Sequence, residues 1–316
     1  MRHRDLTNEQ LCRTEADAFS SYRKRLPEIA EKIIDNCSDK ECYTHIDYDP
    51  IPSNQSVVEI IDKFKQILFP GYFSAGKVDP ANLKYNMGQT VSLLFDVLSE
   101  QIANSIRHDC FRYESECSDC CDKGQEIALD VLEAIPEIRR VLASDVKATF
   151  DGDPAALSHD EIIFSYPGIF ATTVQRVAHK LFQYKVPLLP RVMTEHAHSV
   201  TGIDIHPGAS IGEGFVIDHG TGVVIGETAE IGKKVRIYQG VTIGALSLPQ
   251  EAGARYRGKK RHPTIEDDVI IYSGATILGG DTIIGARSII GGNVWITKSI
   301  PPDTKVLMEE PKLIYK

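Results

Sequence analysis

The sequence predicts an α+β protein. A helical N-terminal domain spans residues 1–192, a left-handed parallel β-helix of hexapeptide repeats spans 193–305, and a short tail covers 306–316. Two observations carry this expectation. Aliphatic residues recur every six positions at Ile205, Ile211 and Ile217, then at Ile225, Ile231, Ile237 and Ile243. The series resumes at Ile265, Ile271, Ile277, Ile283 and Ile289, with Trp295 in the next slot. Upstream of residue 190 the apolar residues follow helical spacing instead.

A six-residue period matches neither a helix nor a hairpin sheet. It is the signature of a three-sided prism with one short strand per hexapeptide and three per coil. The aliphatic residue points inward. Small residues lie beside it, as in Ala209-Ser210-Ile211-Gly212 and Gly274-Ala275-Thr276-Ile277, and glycine relieves tight corners.

In the helical part, Val57, Val58, Ile60, Ile61, Phe64, Ile67 and Leu68 form an amphipathic stripe that stops at Phe69-Pro70-Gly71. Val91, Leu94, Val97, Leu98, Ile102 and Ile106 mark a longer helix. A third runs from Ile127 to Leu142, with Pro136 as kink or boundary. Asp151-Gly152-Asp153-Pro154-Ala155 reads as a turn that starts another helical stretch. From Gly168 to Tyr184, Phe170, Val174, Val177, Leu181 and Phe182 share one side. Arg176 and His179 between them read as solvated or satisfied core-edge groups. Pro187 and Pro190 are expected to end this helix and feed the chain into the first coil.

Composition narrows the function classes. With 316 residues, 42% hydrophobic and 25% charged, the chain is a soluble globular type with room for two domains. A net charge of −9 argues against non-specific nucleic-acid binding. No apolar signal run or membrane-spanning stretch is visible, so a cytoplasmic location is expected, with neither membrane nor nucleic acid as partner. All seven cysteines precede residue 122. Cys110, Cys117, Cys120 and Cys121, with His108, suit either a small zinc site or reduced thiols in a loop.

The repeat breaks twice, and interruptions of a regular scaffold are where function concentrates. From Ile217 to Ile225 the step is eight residues, across Asp218-His219-Gly220-Thr221-Gly222. From Ile243 to Ile265 it is twenty-two, so a polar loop leaves the prism. Asp204-Ile205-His206-Pro207 and Asp218-His219-Gly220 are expected at matching places in neighbouring coils. That would let a carboxylate orient an imidazole acting as general base. Turn-corner Asp and His also commonly cap backbone amides, and His206, His219 and His262 together would form a zinc triad if they converged. Near the re-entry point, Arg255, Arg257, Lys259, Lys260, Arg261 and His262 suggest an anion site for a substrate carboxylate or cofactor phosphates.

Several of these motifs together resemble serine O-acetyltransferase. They are Gly202-Ile203-Asp204-Ile205-His206-Pro207, the run from Asp218 through Gly226-Glu227-Thr228-Ala229, Gly240-Val241-Thr242-Ile243-Gly244, Arg261-His262-Pro263-Thr264-Ile265, and Ile300-Pro301-Pro302. The resemblance covers about residues 150–305. It implies acetyl transfer from acetyl-CoA to the hydroxyl of L-serine, for cysteine biosynthesis, without a metal. It also implies His219 as base, Asp204 as its orienting partner, Asp153 and Asp218 for the substrate ammonium, and Arg261 and His262 for its carboxylate. Acetyl-CoA is expected between adjacent prisms, against Gly244, Ala245, Gly274, Ala275 and Lys298. A groove of that kind requires a homo-oligomer, a trimer or a dimer of trimers. The chain departs from the commoner pattern at Ala245, where a second glycine is usual, and in the longer Leu246–Lys260 loop. Its last residues, Leu313-Ile314-Tyr315-Lys316, lack the terminal isoleucine that docks into the sulfhydrylase, so that complex is not expected. L-cysteine is a candidate feedback inhibitor, because a serine-shaped site admits it. Homoserine or an amino sugar is the alternative acceptor; a sugar has no use for Arg261, Asp153 and Asp218 together.

Overall fold

The computed structural model describes residue 19 and residues 21–37, 44–46, 51–74, 76–112, 119–247, 256 and 258–309. Arg255, Arg257, Cys117 and the tail beyond residue 309 lie outside them. The chain forms two compact units, residues 1–48 and 49–316. The first carries helix α1 (Leu26–Cys37).

The second unit begins with seven helices: α2 (Asn54–Leu68), α3 (Leu83–Arg112), α4 (Cys120–Glu133), α5 (Ile135–Gly152), α6 (His159–Ser165), α7 (Pro167–Gln183) and α8 (Leu189–Thr201). Ser53 caps α2 by accepting the Ser56 N–H at 3.0 Å. The α2 stripe is buried except at Val58, which is exposed, with Leu94, Leu98, Leu142, Leu181 and Met193 in the same core. Pro136 proves to be a boundary. It sits in the first turn of α5, where a missing N–H costs nothing. Pro190 does not lead directly into the prism; it opens one more helix, α8, which ends at Gly202 in the left-handed conformation. Among the described residues no helix is long and apolar enough to cross a membrane.

Fourteen short parallel strands follow, from β1 (Asp204–Ile205) to β14 (Lys305–Val306). They form three sheets: β1-β4-β7-β10-β13, then β2-β5-β8-β11, then β3-β6-β9-β12-β14. Every third strand up to β13 therefore stacks on the same face, as a left-handed parallel β-helix requires, and β14 joins β12 because the intervening place is filled by a single bridge between Ile284 and Ile300. The register runs Ile205–Ile225–Ile243–Ile277 along the first sheet. These side chains fill the prism, and burying each contributes about 1.5–3 kcal/mol.

Beyond Ile277 the expected inward series is corrected by one residue. Ile284, Ile290 and Ile296 are the buried positions, while Ile283 and Trp295 are 42% and 70% exposed. Pairing of Ile265 with Ile284, Ile271 with Ile290 and Ile277 with Ile296 fixes the shift. One extra residue is accommodated around Leu278–Gly280, where Gly279 turns at φ +103°. Adjacent isoleucines at 283–284 and 289–290 hide that slip from a purely periodic reading.

A buried ion pair bolts the helices to the first coil. Arg176 of α7 donates to both Asp145 oxygens, at 2.8 and 3.0 Å, and to the carbonyls of Ile211 and Gly212 at 3.0 and 2.7 Å. Asp145 also accepts the Phe215 N–H at 2.9 Å, and Ser144 accepts that of Gly214 at 2.9 Å. Arg176, expected to be a solvated or core-edge residue, is thus the central tie between the two parts. Asp145→Ala would leave a buried guanidinium uncompensated and should cost about 3–5 kcal/mol in urea unfolding. Asp151→Ala, which removes an exposed pair with Lys147, should cost under about 1 kcal/mol. Equal losses in the two variants would contradict this role for the buried pair.

Candidate active site

The strands of the first sheet run between two corners of the prism, and each corner gathers a different group. Asp218 and His219 occupy the corner before β4 (Val224–Ile225). Their position reflects the two-residue insertion. Asp204 pairs in register with Val224, so the Asp204 and Asp218 segments are not at matching places in successive coils. Asp204 nevertheless starts from the same corner one coil earlier. Its N–H donates to the Val223 carbonyl at 2.9 Å, and that of Gly222 to Gly202 at 2.8 Å.

His219 adopts a left-handed backbone, φ +56°, and its side chain is 74% exposed. Several other prism turns use non-glycine residues in that region, including Lys234, Asp268 and Arg287, so the conformation belongs to the fold. Nε2 of His219 lies 3.8 Å from Asp218, beyond hydrogen-bond reach. Among the described residues no hydrogen bond or ion pair joins His219 to Asp204. Asp204 instead faces α8, where Arg191 approaches it at 3.4 Å and Glu195 and His198 complete a cluster. This is the one group of metal-ligating side chains that converges among the described residues. A guanidinium in its midst makes it an ion-pair network, unsuited to a cation.

The helical part supplies this corner with Asp153, the residue that ends α5. One carboxylate oxygen accepts the Ala155 N–H at 2.8 Å and the other the Tyr166 hydroxyl at 2.7 Å. The Tyr166 hydrogen bond, then that of Ala155, holds its carboxyl below the usual range, and the charges of Arg236 and His219 pull the same way. The reciprocal effect pushes the Tyr166 phenol up to about 12, with Asp218 contributing. Arg236 on β6 (Arg236–Ile237) donates to the carbonyls of Gly152 and Ala148 at 3.2 and 3.0 Å. It thereby caps the helix whose end presents Asp153. Tyr166 and Arg236 carry no motif signal; contact between distant segments brings them here.

The second group lies at the opposite end of the same strands. Arg261 is ion-paired with Glu227, and its Nη1 is buried without a hydrogen-bond partner. Thr228 organises the neighbouring residues. Its hydroxyl oxygen accepts the N–H groups of Arg261 and His262 at 2.9 and 3.1 Å. Its own N–H donates to Nδ1 of His262 at 3.0 Å. An Nδ1 that accepts places the ring proton on Nε2, leaving the neutral imidazole a donor at that atom. Burial first, then the Arg261 charge, lowers the His262 pKa from 6.5 to about 4. Gly226 is required beside it, since a Cβ there would sit 2.1 Å from the His262 ring. His206 shares this corner and accepts the Gly208 N–H at 3.0 Å, a turn cap. His206 and His262 are therefore separated from His219 by the length of a strand, and the zinc triad does not form within one chain.

The expected donor-binding residues divide in the same way. Gly244 ends β7 (Thr242–Gly244) at the Arg261 corner, with Ala245 next to it. Gly274, φ +70°, lies at the His219 corner two coils on. Ala275 is fully buried in the prism and Lys298 is exposed. Of the cysteine cluster, Cys121 receives an Arg107 N–H at 2.7 Å.

The depressed His262 value has a consequence for stability. The unfolded chain takes up this proton near pH 6.5 while the folded chain resists until about pH 4. The contribution is thus present above 6.5 and lost as pH falls through 4. Chemical unfolding should show the gap between wild type and His262→Asn narrowing from pH 7 to 4. A constant gap would mean that the imidazole binds its proton equally well in the folded and unfolded chain.

No family profile matches the chain. A serine acetyltransferase of Synechococcus elongatus, plasmid-borne, is 48% identical over 256 residues, 80% of each chain. Among solved structures, Entamoeba histolytica serine acetyltransferase 1 in complex with L-cysteine superposes with a TM-score of 0.69 at 35% identity, over 86% of this chain and 93% of that one. Soybean serine acetyltransferase complexed with serine gives 0.52 at 29% identity, over 83% and 100%. With the same prism and this identity over four fifths of its length, the chain belongs to the serine acetyltransferase family.

Proposed function

We propose that the enzyme transfers the acetyl group of acetyl-CoA to the hydroxyl of L-serine, giving O-acetylserine and CoA for cysteine biosynthesis. The observation that carries this is the division of charge. Carboxylates Asp153 and Asp218 flank an exposed imidazole at one corner, and a guanidinium with an unpartnered buried N–H stands at the other. A zwitterionic amino acid needs both, its ammonium against the acids and its carboxylate against Arg261 and the Nε2–H of His262. One chain holds them at opposite ends of a sheet, so neighbouring copies must complete each site. Pairing one end with the other is a heterologous contact that closes into a ring. The assembly is a homotrimer, alone or as a dimer of trimers, with acetyl-CoA in the groove between prisms beside Gly244, Ala245, Gly274 and Lys298. Ala275 offers that groove only its backbone.

His219 takes the proton from the serine hydroxyl as that oxygen attacks the thioester carbonyl. Asp204 turns toward the imidazolium and stabilises it. Backbone N–H groups near Gly244 hold the oxyanion of the tetrahedral intermediate. On collapse the C–S bond breaks, and His219 returns the proton to the departing thiolate. L-cysteine, with a thiol in place of the hydroxyl, fits the same contacts and acts as a feedback inhibitor, as the cysteine complex of the Entamoeba relative suggests.

His219→Ala should lower kcat by about two to four orders of magnitude, measured by thiol release from acetyl-CoA; near-normal turnover would refute the assignment. Arg261→Ala should chiefly raise the KM for serine. At a serine concentration too low for the Arg261→Ala enzyme to turn over, mixed oligomers of the two variants should recover about a quarter of wild-type activity, the share of randomly assembled interfaces with both halves intact. No recovery would place both halves in one chain.

A further inference from the structure

We infer that Tyr166 is a positioning residue for acceptor recognition, its hydroxyl holding the Asp153 carboxylate beside Asp218 so that the two acids enclose the acceptor's ammonium. The inference rests on the role given above to Asp153. Its geometry begins at Gly168, where a Cβ would fall 2.4 Å from the Ile217 carbonyl oxygen. Only glycine allows the first turn of α7 to press against β3 (Val216–Ile217), the strand that runs directly into Asp218 and His219. Pro167 starts that turn, and Tyr166, the residue before it, leaves α6 with an extended backbone, φ −80° and ψ 118°. The segment 166–168 is thus wedged between the end of α5 and the catalytic corner. From there the phenol donates to Asp153 at 2.7 Å.

A carboxylate offers about four lone-pair directions. In Asp153 the Tyr166 hydroxyl takes one on the first oxygen and the Ala155 N–H takes one on the second. Both contacts come from the protein side and leave the remaining directions for a cation. Without the hydroxyl only the Ala155 N–H would hold the group, and ordering it fully would be charged against substrate binding. Arg236, which grips the backbone carbonyls of Ala148 and Gly152, sets where the chain leaves α5. Tyr166 sets the direction of the side chain.

Steady-state kinetics of the Tyr166→Phe enzyme test this. The KM for serine should rise about tenfold, the scale for losing a hydrogen bond to a charged group. The KM for acetyl-CoA and the thermal midpoint should stay at wild-type values, which loss of a merely structural contact would shift. In a double-mutant cycle, Tyr166→Phe should add nothing to the rise caused by Asp153→Asn. An unchanged serine KM in Tyr166→Phe, or effects of the two substitutions that multiply in full, would overturn the inference while leaving Asp153 in the site. An unchanged serine KM in Asp153→Asn would instead remove Asp153 from the site, and this role for Tyr166 with it.

Discussion

Stacking of one coil on the next in fixed register is the constraint on which everything else in this enzyme depends. Strand residues donate their N–H groups to the rung beyond and several corner residues donate back to the rung before, and the same register keeps one aliphatic residue per strand inside the prism. A residue inserted within a strand would turn that side chain outward and break the ladder. Insertions are therefore confined to corners. Along the first sheet, successive partners are separated by 20, 18, 34 and 19 residues, from Asp204 to Val224, Thr242, Thr276 and Trp295. The regular coil is the 18-residue one. The extra residues in the others create the His219 corner, the loop before Arg261 and the Gly279 turn.

Rigidity at the corners explains how few local devices the site needs. His219 is held by its backbone and is otherwise open to solvent, which suits the proposed role of base. Arg261 and His262 are held by Thr228 and Glu227, whose strand end they pack against. The helical part adds what the prism cannot, a third carboxylate aimed across a corner. Its delivery depends on the Arg176–Asp145 tie, because any slippage of α5 on the first coil would carry Asp153 away from His219. Two buried charges are a costly way to join two parts unless their partners are satisfied; here the backbone of the Ile211–Phe215 turn supplies the remaining hydrogen bonds.

The prism was legible in the sequence because its period is strict and matches no other architecture. Asp218, His219, Arg261 and His262 stood out as candidates through motifs at the two breaks, and Asp153 only through the family resemblance. What escaped was geometry that no spacing encodes. The slip at Leu278–Gly280 was masked by doubled isoleucines. Helix α8 was hidden behind prolines that read as terminators, although Pro190 is favourable in a first helical turn. Tyr166 acts across 13 residues of chain and Arg236 and Arg176 across 31 or more, and each looks unexceptional in its own segment. The separation of the His219 and Arg261 groups within one chain was likewise invisible, since sequence order alone does not say which corner a residue occupies.

A crystal structure of the assembled enzyme with L-serine tests the central claim most directly. The account predicts the hydroxyl about 3 Å from Nε2 of His219, the ammonium between Asp153 and Asp218 of that same chain, and the carboxylate on Arg261 of a neighbouring copy. Serine bound with its carboxylate on Arg261 of the chain that supplies His219, or away from both corners, would contradict it.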